Sequence, residues 1–280
     1  MKWTPGTEND DVIDVRGSSD GGGGGGGLIL GGGGIAATII VVLVSRLAGV
    51  DLSGLFQGRG HTEHKSAPPA GTDADAQLVG FVKFVMKDIQ DTFDGKFKRE
   101  GLSYRRAKLI IFSRAVNTGC GRSSSAIGPF YCPPDEKAYI DLTFFRDLRD
   151  RFKAAGDYAQ AYVLAHEIGH HLQKILGAEA KARRFRKNEG SVRIELQADC
   201  YAGVWGHSTS ERKLLDPDDL EEALRAANAI GDDRLQKEAG RAVNPETFTH
   251  GTSAQRMRWF KRGFESGRLD ACDTFSAGSL

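Results

Sequence analysis

The stretch Ala165-His166-Glu167-Ile168-Gly169-His170-His171 decides how the rest of this chain is read. It lies in a run where Tyr162, Val163, Ile168, Leu172 and Ile175 recur at helical spacing, so His166 and His170, four apart, share one helical face. Two imidazoles placed in this way can close on one metal ion. Glu167, one step round the helix, can reach a water held by that ion without becoming a ligand, as in the H-E-x-x-H arrangement.

A catalytic zinc takes three protein ligands and keeps a fourth position open. Downstream, Arg193-Ile194-Glu195-Leu196-Gln197-Ala198-Asp199-Cys200 presents Glu195 and Asp199, again four apart. Glu195 is the expected third ligand of a single Zn²⁺. Asp199 is expected to accept the proton on the far ring nitrogen of His166, which fixes that ligand's tautomer. A solvated His/Glu helix face is the plain alternative for an isolated H-E-x-x-H, and the second motif argues against it. Cys200 points about 100° away from Asp199 and is not expected to bind the ion.

HEIGHH from His166, ELQADCYAG from Glu195, SSSAIGPFYCPPDEKAYIDLTFF from Ser123 and THGTSAQRMRWF from Thr249 together resemble the bacterial neutral zinc metallopeptidase family, of gluzincin type. The resemblance runs along nearly the whole chain. It implies an α+β, zincin-like domain with a small sheet packed on the active-site helix, preceded by one transmembrane helix. It also implies a polypeptide substrate, such as a misfolded or cell-envelope protein.

In gluzincins an edge strand beside the zinc helix holds the substrate, and Ser125, Ala126, Ile127 and Gly128 are the segment nominated here. Unpaired edge amides and carbonyls bind any extended backbone; an ordinary hairpin edge is the alternative. His250 is similar in position to a late histidine of membrane-linked gluzincins and is expected to donate to the developing oxyanion. Arg256 is expected to support it or to meet a substrate carboxylate. Alternatively, Thr252 or Ser253 caps the next helix and His250 merely packs.

With 38 basic and 37 acidic side chains the net charge is +1, and nothing points to a nucleic-acid partner. Of the four cysteines, Cys120 is expected to pair with Cys132, closing a local loop, and Cys200 with Cys272, tying the tail to the core. Free thiols in a reducing compartment are the alternative.

Residues 1–27 read as a disordered cytoplasmic tail and residues 28–48 as a transmembrane helix, short in apolar length but extended by tolerated glycines. Residues 49–74 have linker composition, with His61 and His64 solvated, and the enzyme domain is expected from 75 to 280. The count of Lys and Arg on either side is indecisive, and the expected cysteine pairs with the family resemblance place the enzyme outside the cytoplasm, on the periplasmic side. Within it, helices are expected from Leu78 to about Gly95, from Phe144 to Ala155, from Asp157 to about Leu176 and from Val192 into Trp205. Strands are expected at Lys108–Phe112, Ser125–Tyr131 and Lys137–Leu142.

The activity expected from the sequence is hydrolysis of peptide bonds inside a chain by a membrane-anchored enzyme, through a zinc-held water with Glu167 as general base. Two alternatives stand beside it: a membrane-tethered zinc scaffold that does not cut, and a zinc amidase acting on cell-wall peptide.

Overall fold

The computed structural model describes residues 1–17 and 73–280. In chain order they form a short strand β1 (Val12–Asp14), a long helix α1 (Asp73–Arg99), β2 (Lys108–Phe112), the hairpin strands β3 (Ala115–Thr118) and β4 (Gly121–Ser124), a 3₁₀ turn (Ser125–Ile127), β5 (Phe130–Cys132) and β6 (Lys137–Asp141). Helices follow: α2 (Thr143–Asp150), α3 (Asp157–Leu176), α4 (Ala178–Ala182), α5 (Lys187–Glu211), α6 (Asp219–Ala229), α7 (Asp232–Glu238) and α8 (Ser253–Ser266).

The main sheet runs β1-β2-β6-β5, with β1, β2 and β6 parallel and β5 antiparallel to β6. β2 and β6 are covered on both faces, which is why KLIIF and KAYID read as nearly unbroken apolar runs. One face meets α1, whose Val82, Val85, Met86, Ile89, Phe93 and Phe97 are all removed from solvent. Phe97 carries that stripe past Gly95, so the helix ends at Arg99, about one turn beyond the glycine. The other face buries Ile110, Phe112, Ile127, Phe130 and Tyr139. There Phe130 stacks on its cross-strand partner Tyr139 with ring centroids 4.9 Å apart.

Helices α3, α5 and α8 form the other half, and small residues set their spacing. A Cβ on Gly169 of α3 would lie 2.9 Å from the Ala198 backbone of α5. One on Gly203 would lie 2.0 Å from Phe260 O, and one on Gly263 1.9 Å from Cys200 O, so α5 and α8 touch backbone to backbone. Gly177, with φ of 69°, closes α3 in a left-handed C-cap. At the other end of α3, Glu222 of α6 accepts from the Tyr158 amide at 3.0 Å, and the Met1 ammonium lies 2.6 Å from Asp157 and 3.2 Å from Asp219. Those three carboxylates converge, and the ammonium offsets their charge.

Both expected disulfides are formed. Cys120–Cys132 ties the β3–β4 hairpin to β5, and Cys200–Cys272 ties the C-terminal segment to α5. In the chain-entropy model the first, with a separation of 12 residues, stabilises by about 3 kcal/mol.

Three expectations are corrected. Residues 1–17 are not a disordered tail: β1 pairs with β2, Trp3 packs edge-on against Phe81, and Asp11 bridges Arg106 at 2.6 Å and Lys108 at 2.9 Å. Their acidic character, unpatterned in sequence, is matched by basic partners almost a hundred residues away.

The membrane placement is also overturned. Among the described residues no helix is long and apolar enough to cross a bilayer. The expected span, residues 28–48, and the linker up to residue 72 lie outside the described residues.

Finally, Ser125–Tyr131 is not one strand. The chain turns through Ser125–Ile127 and through Gly128, with φ of 77°, before pairing at Phe130, since Pro129 has no amide to give a ladder.

The docking of β1 is testable. Burial works against the charge on Asp11, but its hydrogen bonds to Arg106 and Lys108 hold the carboxyl below the usual range. Its stabilisation is therefore complete above about pH 4 and is lost as pH falls through the lower folded value. Asp11→Asn is expected to cost about 1 kcal/mol at pH 7, lowering Tm by about 2–4 °C. In thermal melts at successive pH values the gap to wild type should narrow below about pH 4.

Candidate metal centre

His166 and His170 project from α3, and Glu195 projects from α5 across the contact between Gly169 and Ala198. The Nε2 of His166 lies 3.3 Å from Glu195 Oε2 and that of His170 3.6 Å from Oε1. The three donor atoms fall within 4.8 Å of one another, and the two imidazoles meet edge to face with centroids 4.8 Å apart. The group is buried, with Glu195 and Glu167 each only 4 % exposed.

Each imidazole is held from behind. The His166 Nδ1–H donates to Asp199 Oδ1 at 2.8 Å, the bond expected from the E-x-x-x-D spacing. His170 Nδ1–H donates to Gln173 Oε1 at 2.8 Å, and the Gln173 amide donates to Ile194 O. Gln173 was missed in the sequence although it follows His170 by three on the same helical face.

Asp199 has no solvent exposure and is saturated with donors: besides His166 it accepts from Tyr162 Oη at 2.5 Å and from Arg256 Nε and Nη2, both at 2.8 Å. Arg256, 1 % exposed, is thus committed to Asp199. Of the two roles expected for Arg256, its hydrogen bonds to Asp199 favour the supporting one.

His250 lines the same cleft. Its Nδ1 lies 3.1 Å from Asp232 Oδ1, while Asp232 Oδ2 accepts the amides of Thr249, His250 and Gly251. The carboxylate therefore fixes both the loop and the ring, leaving Nε2 toward the cleft. No sequence signal marks Asp232, because the turn that brings it to His250 is tertiary. Thr252 does cap α8, in a capping box with Gln255, alongside the cleft placement of His250.

Of the nominated substrate segment, Ile127 and Gly128 line the cleft, whereas Ser125 and Ala126 do not and belong to the 3₁₀ turn. The free edge beside α3 is β5.

The electrostatics suit a cation. Burial works against the charge on Glu195, yet His170 and His166 pull its carboxyl well below the usual range. Burial, reinforced by the charge of His166, pushes His170 down to about 4. Each is thus in its metal-binding form at neutrality. Burial also opposes a charge on His166, but the Asp199 carboxylate carries it up to about 9, and a proton on Nε2 occupies the place an ion would take.

Burial, with Glu195 nearby, raises Glu167 to about 7. The Oε2 atoms of Glu167 and Glu195 are buried without a hydrogen-bond partner. Such orphans are costly, and a cation between the imidazoles and Glu195 relieves the second. Once that proton leaves His166, two imidazole nitrogens and one carboxylate form a donor set that fits zinc.

A model of the family described as "Putative neutral zinc metallopeptidase" matches residues 1–275. Uncharacterized protein YpfJ of Escherichia coli (strain K12) is 47 % identical over 284 aligned positions, covering 98 % of this chain and 99 % of its own. Uncharacterized protein Rv2575 of Mycobacterium tuberculosis (strain ATCC 25618 / H37Rv) is 43 % identical over 222 positions, 75 % of each chain. No solved structure matches.

Two substitutions test the geometry through metal content alone. Gln173→Ala frees the His170 ring and is expected to lower zinc affinity about 10- to 100-fold in a competition titration. Gly169→Val, whose side chain would collide with Ala198, should reduce zinc stoichiometry by separating α3 from α5.

Proposed function

The chain belongs to the neutral zinc metallopeptidase family, and on that premise we propose that it hydrolyses peptide bonds within polypeptides, with His166, His170 and Glu195 holding one Zn²⁺ and Glu167 as general base. The observation that carries this reading is the convergence of those three donors beside Glu167, whose Oε2 has no hydrogen-bond partner, in the lining of a cleft. When bound, zinc supplies Lewis acidity to a peptide carbonyl and to the attacking water.

The side chains do the rest. Glu167 takes the proton of the water as it attacks and passes it to the leaving amine. Burial suits the carboxylate to both steps, because it makes accepting and returning a proton nearly balanced at neutral pH. His250, with Nδ1 held by Asp232, presents Nε2 as a donor to the carbonyl oxygen as negative charge develops there. Asp232 also helps the ring keep its proton: burial opposes the charge on His250, but that hydrogen bond, with Glu195 near, raises its pKa. Asp199, neutralised by Arg256, holds His166 in one orientation and touches no substrate. An extended peptide laid along the free edge of β5 would pass over Glu167.

Glu167→Gln is expected to keep stoichiometric zinc and lose at least 10²–10⁴ of kcat on an unfolded protein such as casein. Full proteolysis by that variant would refute the role of Glu167. His166→Ala and Glu195→Ala should lose the metal itself, and a chelator should abolish turnover in wild type. His250→Ala should lower kcat about 10²–10³-fold with zinc content unchanged.

A further inference from the structure

The polar contacts behind His170 do not stop at Gln173. Gln173 Nε2 donates to Ile194 O at 2.6 Å and to Gln197 Oε1 at 3.2 Å, and Gln197 Nε2 donates in turn to Cys272 O at 2.9 Å. Gln173, Gln197 and Cys272 are all buried, so none of these groups can exchange its partner for bulk water.

The direction of each bond in this run is set from its far end. A carboxamide can be turned over, exchanging donor for acceptor, and two in contact can turn over together. A backbone carbonyl only accepts. Cys272 O therefore fixes Gln197 with Oε1 toward Gln173, and Gln197 with Ile194 O fixes Gln173 with Oε1 toward His170. The imidazole proton is thereby kept on Nδ1, and Nε2 keeps its lone pair on the side of Glu195.

Cys272 belongs to a strap, residues 269–280, that follows α8 and is fastened to the turn of α5 carrying Glu195. Its disulfide with Cys200 is one fastening. Thr274 Oγ1 donates to Arg193 O at 2.8 Å, and the Arg193 guanidinium donates to Thr274 O and, at 3.2 Å, to Ala277 O. Arg193 and Gln197 stand two residues to either side of Glu195. His166 is outside this run, because Asp199 behind it is held by Tyr162 and Arg256.

We propose that Gln197 is a positioning residue for the metal centre, through which the C-terminal strap governs how firmly His170 is held. With the strap seated, His170 has one tautomer. With the strap displaced, the Gln173–Gln197 pair is free to turn over and His170 loses affinity for the ion. The proposal rests on the metal-centre reading above and adds to it a dependence of metal affinity on the chain terminus.

The test uses the full chain, zinc-loaded, and Gln197→Leu, which nearly keeps the volume and removes both hydrogen bonds. Zinc affinity in a competition titration is expected to fall about 5- to 10-fold. In NMR spectra of the imidazole N–H groups, His170 Nδ1–H should exchange with water about 10-fold faster or more, with His166 Nδ1–H unchanged. On a Gln173→Ala background, Gln197→Leu should lower neither quantity further, because it acts through Gln173. Replacing Cys200 and Cys272 together by alanine unclips the strap and should reproduce the loss at His170 alone. If that variant does not fold, Thr274→Val, which gives up the bond to Arg193 O, takes its place.

Wild-type affinity and exchange in Gln197→Leu or in the unclipped strap, equal acceleration at His166 and His170, or additive losses on the Gln173→Ala background would each overturn the proposal and leave the metal-centre reading intact. If wild type binds no zinc, the metal-centre reading is the one that fails. Imidazole N–H exchange in the metal-free chain then decides the proposal by itself: faster exchange at His170 in Gln197→Leu supports it, and no difference overturns it.

Discussion

The contact of Gly169 with Ala198 is the constraint on which the site depends. Two helices far apart in sequence come close enough for α3 to offer two imidazoles and α5 a carboxylate to one point, because neither carries a side chain larger than methyl where they cross. The same economy of side chains recurs at Gly203 and Gly263, which lock α8 onto α5 and so deliver Arg256 to Asp199. Backbone proximity of this kind leaves little slack, and two of the three donors already stand 3.3 Å apart.

The polar groups behind those donors are buried on a scale that is normally expensive. Asp199 and Arg256 are both removed from water, and a buried ion pair stabilises little beyond the desolvation it incurs. What the pair contributes is orientation. With four donors on two oxygens, Asp199 has a single arrangement, and His166 inherits it. Gln173 does for His170, as a neutral amide, what Asp199 does for His166 as an anion. Asp232 does the same for His250 and adds three amides of the loop.

The amino-terminal segment shows how far tertiary partners can outweigh composition. Residues 1–17 look like a solvated acidic tail, and no period in them suggests a strand. β1 exists because β2 offers it an edge, and Asp11 is ordered because Arg106 and Lys108 stand on either side. Hydropathy alone carries no information about such a pairing.

Local order in the sequence determined the two active-site helices, the four-residue spacing of His166 and His170 and of Glu195 and Asp199, the buried stripe of α1 and the short Cys120–Cys132 loop. These follow from helical periodicity and short-range chemistry, which act between neighbours in the chain. Gln173 was legible by the same rule and was overlooked. The tertiary structure alone decided that Asp232 stands behind His250, that Arg256 meets Asp199, that β5 and not the Ser125–Gly128 turn is the sheet edge, and that the first seventeen residues belong to the domain. Each of these is a meeting of groups far apart in sequence, fixed by burial and by hydrogen bonds that exist only once the helices and the sheet have packed.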